Sequence, residues 1–158
     1  MPTEAQWENA CRAGTDTSLY TGENLTDTTV DARLDILGRY QYNGGKIYNS
    51  ETGNWDAPPS SCAPSNGTAT VGSYLPNAWG LYDMLGNVQE LCLDWYTVSL
   101  GTSSVTNPPG AYEGTSRVAR SGHWGSVASS ERNAARASRD PATGSTWICG
   151  FRLILQQP

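Results

Sequence analysis

Residues 15–72 carry almost no hydrophobic periodicity, and that silence constrains the fold more than any motif in the chain. Asn, Gly, Thr, Ser and Asp recur throughout, with turn signals at Asn43-Gly44-Gly45, Thr52-Gly53-Asn54 and Ala57-Pro58-Pro59-Ser60. Only Leu34, Ile36 and Leu37 suggest a short helical turn set against a core. So long a run without regular structure is uncommon in a compact domain, and points to function or to folding assisted by an ion. It argues against helical bundles and coiled coils, as does a chain with 16% charged residues, 17 glycines and nine prolines.

The rest of the chain is better patterned. Thr3-Glu4-Ala5-Gln6 reads as a capping box, Trp7, Ala10 and Cys11 recur at helical spacing, and Gly14 stands where a C-cap is expected. A helix of about ten residues follows from that pattern. A short strand is expected around Thr70-Val71, and a second one, on the mixed alternation of Val88, Leu91, Leu93 and Trp95, ending near Tyr96. Residues 97–115 are a Ser/Gly/Pro-rich loop, Ser116-Arg117-Val118-Ala119-Arg120 starts a strand, and residues 147–155 read as a buried closing strand. No internal repeat or linker interrupts residues 1–158, so a single α+β domain with short strands and abundant loop is expected. A chain of this length buries roughly 70% of its unfolded surface.

Composition narrows the chemistry. Net charge is −5, which argues against a nucleic-acid partner and the basic face it would require. Six Trp and eight Tyr against one Phe suit half-buried contact surfaces, because both rings carry a polar handle. No apolar run approaches the roughly 20 residues of a membrane span. Met1-Pro2-Thr3-Glu4 lacks the basic and apolar regions of a signal peptide. Cys11, Cys62, Cys92 and Cys149 form no Cys-x-x-Cys pair, so a zinc knuckle is not expected, and both disulfides and buried thiols stay open. Neither Gly-x-Ser-x-Gly, His-Glu-x-x-His nor a phosphate loop is present. The one histidine, His123, has Glu131 nearby in sequence; a surface substitution explains it more simply than general acid–base work does.

Five collinear segments resemble the formylglycine-generating-enzyme / sulfatase-modifying-factor family. They are Pro2-Thr3-Glu4-Ala5-Gln6-Trp7-Glu8, the run from Gly80-Leu81-Tyr82-Asp83 through Leu85-Gly86-Asn87-Val88-Gln89-Glu90, Arg117-Val118-Ala119-Arg120-Ser121-Gly122-His123-Trp124, Arg132-Asn133-Ala134-Ala135-Arg136 and Gly150-Phe151-Arg152. The resemblance implies a C-type-lectin-like fold with long loops and a small central sheet, in agreement with the pattern reading. The family's domain usually has a further part before the Pro-Thr-Glu-Ala helix, which here follows Met1 directly. The family normally shows Trp-Glu-Trp where this chain has Gln89-Glu90-Leu91; either neighbouring loops are repacked or this surface meets another chain.

The family's best-known activity is copper-dependent oxidation of a sulfatase cysteine to formylglycine, through two cysteines whose thiolates suit Cu(I). Those positions fall on Ser126 and Glu131, so neither the oxidase nor bound copper is expected. Calcium is different. Asp83, Gly86, Val88 and Glu90 lie around a tight Gly-Asn turn, which lets two carbonyls and two side chains close on one centre. The resemblance carries the family's calcium ligands onto these same four positions. A second family site transfers poorly: it would begin at Asp35 and the Ile36 carbonyl, but its later Asp falls on Ala63 or Pro64.

From Ser121 to Trp147, motif residues alternate with small or polar ones, the way a binding loop is built on a rigid frame. The layout resembles the variable proteins of diversity-generating retroelements, whose ligand surface lies in the last stretch of chain. His123, Trp124, Ser126, Ser129, Glu131 and Trp147 are the expected surface, for a protein or glycan ligand. A non-catalytic, calcium-stabilised binding domain is therefore expected; the alternative is a family enzyme with altered chemistry, such as a divergent formylglycine-generating oxidase.

Overall fold

The computed structural model describes residues 1–43, 47–49, 51–52, 54–56, 67–142 and 148–155. Helix α1 spans Glu4–Arg12. Its capping box is formed as expected: the Thr3 hydroxyl accepts the Gln6 N–H at 3.3 Å, and the Gln6 side chain accepts the Thr3 N–H at 2.9 Å. The helix stops one residue before Gly14, at Ala13, whose φ of 46° is left-handed. Asn77 explains the stop. Its side-chain amide donates to the carbonyls of Ala10 (2.7 Å) and Cys11 (3.1 Å), which the helix leaves without partners.

The polar stretch holds a 3-10 turn at Ala32–Ile36, capped by Asp31, where Leu34 enters the core. It also holds a hairpin that no periodicity signalled, β1 (Ile47–Asn49) with β2 (Asn54–Asp56). No strand forms at Thr70-Val71. Side chains take the backbone groups that a ladder would need: Ala69 N–H donates to Asn87 Oδ1 (3.0 Å) and Gly72 N–H to Asp83 Oδ2 (2.7 Å).

The central sheet contains β3 (Gln89–Trp95), β4 (Arg117–Arg120), β5 (Ala137–Arg139) and β6 (Cys149–Gly150), in the order β5-β4-β3-β6. β3 and β4 are antiparallel, with Glu90 opposite Arg120 and a register shift before Trp95; β6 runs parallel to β3. Alternation along β3 sends Glu90, Cys92 and Asp94 inward, all buried, whereas Leu93 is exposed. Two of the inward groups meet α1: Glu90 accepts from the Trp7 indole, and Asp94 accepts the Glu4 N–H at 2.6 Å.

The core gathers Trp7, Cys11, Leu34, Tyr40, Met84 and Leu85 with further buried side chains from the loops. Arg120 is buried with them, beside Glu4 and Glu8 and above the Trp7 ring at 5.2 Å. The closing strand is shorter and more exposed than the sequence suggests. Ile148 is buried, but β6 has two residues, and beyond it Phe151 and Leu153 face outward because no described strand covers that side. Cys11, Cys92 and Cys149 are free thiols; Cys62 and Trp147 lie outside the described residues. Among the described residues no helix is long and apolar enough to cross a membrane.

Candidate functional site

Two places collect the residues singled out by sequence. The first is the loop entering β3. Asp83 (φ 54°), Gly86 (φ 73°) and Asn87 (φ 61°) all adopt left-handed backbone, which coils the segment tightly. At Gly86 a side chain is impossible without movement, because a Cβ would lie 2.2 Å from the Arg39 carbonyl oxygen. The coil is stitched to the fold by Gly86 N–H to the Ser121 carbonyl (2.7 Å) and Asn87 N–H to the Arg39 carbonyl (2.8 Å).

Asp83, Gly86, Val88 and Glu90 line one cavity of 280 Å³, together with Tyr82 and Arg152. Asp83 Oδ2 accepts the Gly72 N–H, whereas its Oδ1 is buried with no hydrogen-bond partner among the described residues. Glu90 is buried and held hard: Oε2 accepts from Trp7 Nε1 (2.6 Å) and Arg152 Nε, and Oε1 accepts from Arg152 Nη2. A carboxylate offers about four acceptor positions, so one remains on Oε1. Asp83 Oδ1 and the free position on Glu90 Oε1 are the oxygens a hard cation could use, beside an Arg152 guanidinium that already neutralises Glu90 and a Gly86 carbonyl that already accepts from Ser121. Among the described residues no three His, Cys, Asp or Glu side chains converge, so the two carbonyls would have to complete such a site.

The second place lies against β4 and β5. His123, Ser126 and Ser129 line a 380 Å³ cavity with Gln89, Arg132 and Arg139. A tight turn presents the first two: His123 N–H donates to Ser126 Oγ (3.0 Å), and Gly125 N–H donates to His123 Nδ1 (3.1 Å). Nδ1 is thus an acceptor, which places the ring proton on Nε2. Burial, and then Arg139, hold the His123 pKa below its ordinary value. Trp124 lies edge-on to His123 with centroids 6.1 Å apart, and its ring is half-buried outside the cavity lining.

Glu131 is placed differently from its sequence neighbours. It is 1% exposed, with its carboxyl packed against Gly122, where a Cβ would come within 2.4 Å of Oε1. Among the described residues neither carboxyl oxygen makes a hydrogen bond of good geometry. His123 N–H is committed to Ser126 Oγ and Gly86 N–H to the Ser121 carbonyl, which leaves the Ser126 hydroxyl as the donor able to face Glu131. Burial therefore pushes the Glu131 pKa well above its ordinary value, and His123, Ser126 and Gly86 oppose the shift only in part.

Gln89, Arg132, Arg136 and Arg139 line the second cavity without having been expected there. Arg132 and Arg136 were visible in sequence only as motif framework. Gln89 was visible only as a replacement in the Trp-Glu-Trp pattern, and its side-chain oxygen orients Arg139 at 2.6 Å.

Comparison with known proteins shows what the chain is similar to. The sulfatase-modifying factor enzyme 1-like domain family matches residues 1–157. The chain is 33% identical over 157 residues to the formylglycine-generating enzyme of Mus musculus, covering 96% of this chain and 38% of that protein. It is 35% identical over 158 residues to the formylglycine-generating enzyme of Streptomyces coelicolor, covering 96% and 45%. The structure of Treponema denticola variable protein 1 superposes with a TM-score of 0.71 at 30% identity, covering 96% of this chain and 45% of that one. The chain spans less than half the length of each.

Proposed function

The chain belongs to the sulfatase-modifying factor enzyme 1-like family, with a loop-rich C-type-lectin-like fold, and we propose that it acts as a non-catalytic ligand-binding domain. Recognition falls to the C-terminal loops around His123, Ser126 and Ser129. One observation carries this reading. The two positions that would hold copper thiolates are Ser126 and a fully buried Glu131, which do not fit that metal. Cys11 and Cys92 are buried in the core, where burial pushes both thiols up to about 12.

The likeness to a variable protein supports binding through exchangeable residues on a rigid frame. Calcium, held by Asp83, Glu90 and the carbonyls of Gly86 and Val88, would stabilise the coil that positions Ser121 and hence the cavity wall. The protein or glycan partner is left to the chemistry of the second cavity.

A direct assay tests the reading. With copper and a cysteine peptide, aldehyde capture should find no formylglycine above a copper-free control. Copper-dependent conversion would establish the alternative, a divergent oxidase, which the identity to formylglycine-generating enzymes favours. In the coding DNA, a nearby imperfect repeat differing mainly at adenines is expected if the segment is diversified.

A further inference from the structure

The second cavity carries a charge that the chain as a whole opposes. Net charge is −5, yet Arg132, Arg136 and Arg139 line this cavity and, among the described residues, no carboxylate does. Among the described residues Glu4 neutralises Arg136, at 2.5 Å and 2.8 Å. Arg132 places Nε on the Ser129 carbonyl (2.8 Å). Arg139 places Nε on Gln89 Oε1 (2.6 Å) and Nη1 on the Ser138 carbonyl (3.3 Å). Neither forms an ion pair among the described residues, and a guanidinium has five N–H donors, so both keep donors to offer. A second buried acid, Glu131, sits behind Gly122 and pairs with neither guanidinium among the described residues; its burial favours the uncharged form, which leaves the charge of Arg132 and Arg139 uncompensated.

The rest of the lining says what kind of anion fits. Ser129, Ser130 and the His123 ring bring hydroxyl and N–H groups, and the apolar lining is alanine alone. Among the described residues no Trp, Tyr, Phe or large aliphatic side chain lines the cavity, so the aromatic anchors of a protein interface are missing from this part of it. At 380 Å³ it lies at the small end of ligand sites, the size for one ring rather than an extended chain.

Building on the ligand-binding reading, we infer that this cavity takes an acidic sugar, with its carboxylate on Arg132 and Arg139 and its ring hydroxyls on the surrounding serines. A planar guanidinium fork matches a carboxylate in two parallel hydrogen bonds, and polar neighbours read the hydroxyls.

Titration calorimetry on the full chain tests this with glucuronate, galacturonate and N-acetylneuraminate against glucose and galactose, and with inorganic sulfate and a glutamate-rich peptide as further arms. Acidic sugars should bind at least roughly tenfold more tightly than neutral ones, and added salt should weaken them. Arg132→Gln and Arg139→Gln should each weaken binding at least about tenfold while the thermal midpoint stays near that of the wild type. The inference is overturned by equal binding of neutral sugars, by sulfate or the peptide binding as well as the acidic sugars, or by wild-type affinity in both variants. No heat from acidic sugars at about 10 mM also overturns it. None of these results touches the binding-domain reading, which formylglycine formation in the copper assay would overturn whatever the sugars do.

Discussion

The indole N–H of Trp7 donates to the Glu90 carboxylate at 2.6 Å, joining two residues 83 positions apart. Through this bond the first helix, whose capping box is complete, holds the last residue of the candidate cation loop. Arg152 holds the same carboxylate from the C-terminal side, so three distant segments meet on one side chain. A buried carboxylate is costly unless it is paired and hydrogen-bonded, which makes every partner here worth more than a surface contact.

Replacing Trp7 by Phe keeps a ring in the core and removes the donor. Hydrogen bonds to charged groups contribute about 1.5–3 kcal/mol, so Trp7→Phe should lose about that much in urea unfolding, with the slope against denaturant unchanged. A loss below about 0.5 kcal/mol would show that Arg152 alone satisfies Glu90.

Calcium should raise the thermal midpoint, and chelator should lower it. Saturation at about 100 times Kd corresponds to about 2.7 kcal/mol, or several degrees for a chain of this size. Asp83→Ala and Glu90→Ala lose local hydrogen bonds in any case, so the readout is the difference between calcium and chelator within each variant. That difference should vanish in both; if it persists in both, the cation is held elsewhere.

Gly86 and Gly80 share a left-handed backbone, with φ of 73° and 76°, but differ in their surroundings. A Cβ at Gly80 meets nothing within 4 Å, so Gly80→Ala should cost only the conformational penalty, about 1–2 kcal/mol. Gly86→Ala adds a collision with the Arg39 carbonyl and should cost clearly more, enough to lower expression. Equal midpoints for the two variants in guanidinium unfolding would contradict the packing of the coil.

The Glu131 carboxyl has its pKa raised in the folded protein, whereas the unfolded chain ionises it near its ordinary 4.5. Burial of the neutral acid therefore contributes its full stability below that pH, and the contribution is lost as pH rises toward the folded pKa. The loss runs at up to about 1.4 kcal/mol per pH unit. Glu131→Gln has no such slope, so the variant should gain on the wild type as pH increases from about 5 to 7 and show the least advantage near pH 4. A difference independent of pH in parallel melts would mean that Glu131 is ionised in the fold.

Local features were open to sequence reading because their causes lie a few residues apart. Thr3 and Gln6 cap one helix across three positions, and β3 follows from alternation within seven residues. The Thr70-Val71 strand failed for the opposite reason: Asn87 and Asp83, remote in sequence, supply the hydrogen bonds.

By itself the sequence determined the family, the loop-rich class and the missing cysteines at 126 and 131, since each is written in residue identity and order. Tertiary structure decided what those residues face. It placed Glu131 behind Gly122 rather than on the ligand surface, left Asp83 Oδ1 without a partner among the described residues, and brought Arg132 and Arg139 to one cavity beside Gln89. Burial and charge compensation are sums over neighbours from the whole chain. No window of sequence contains them.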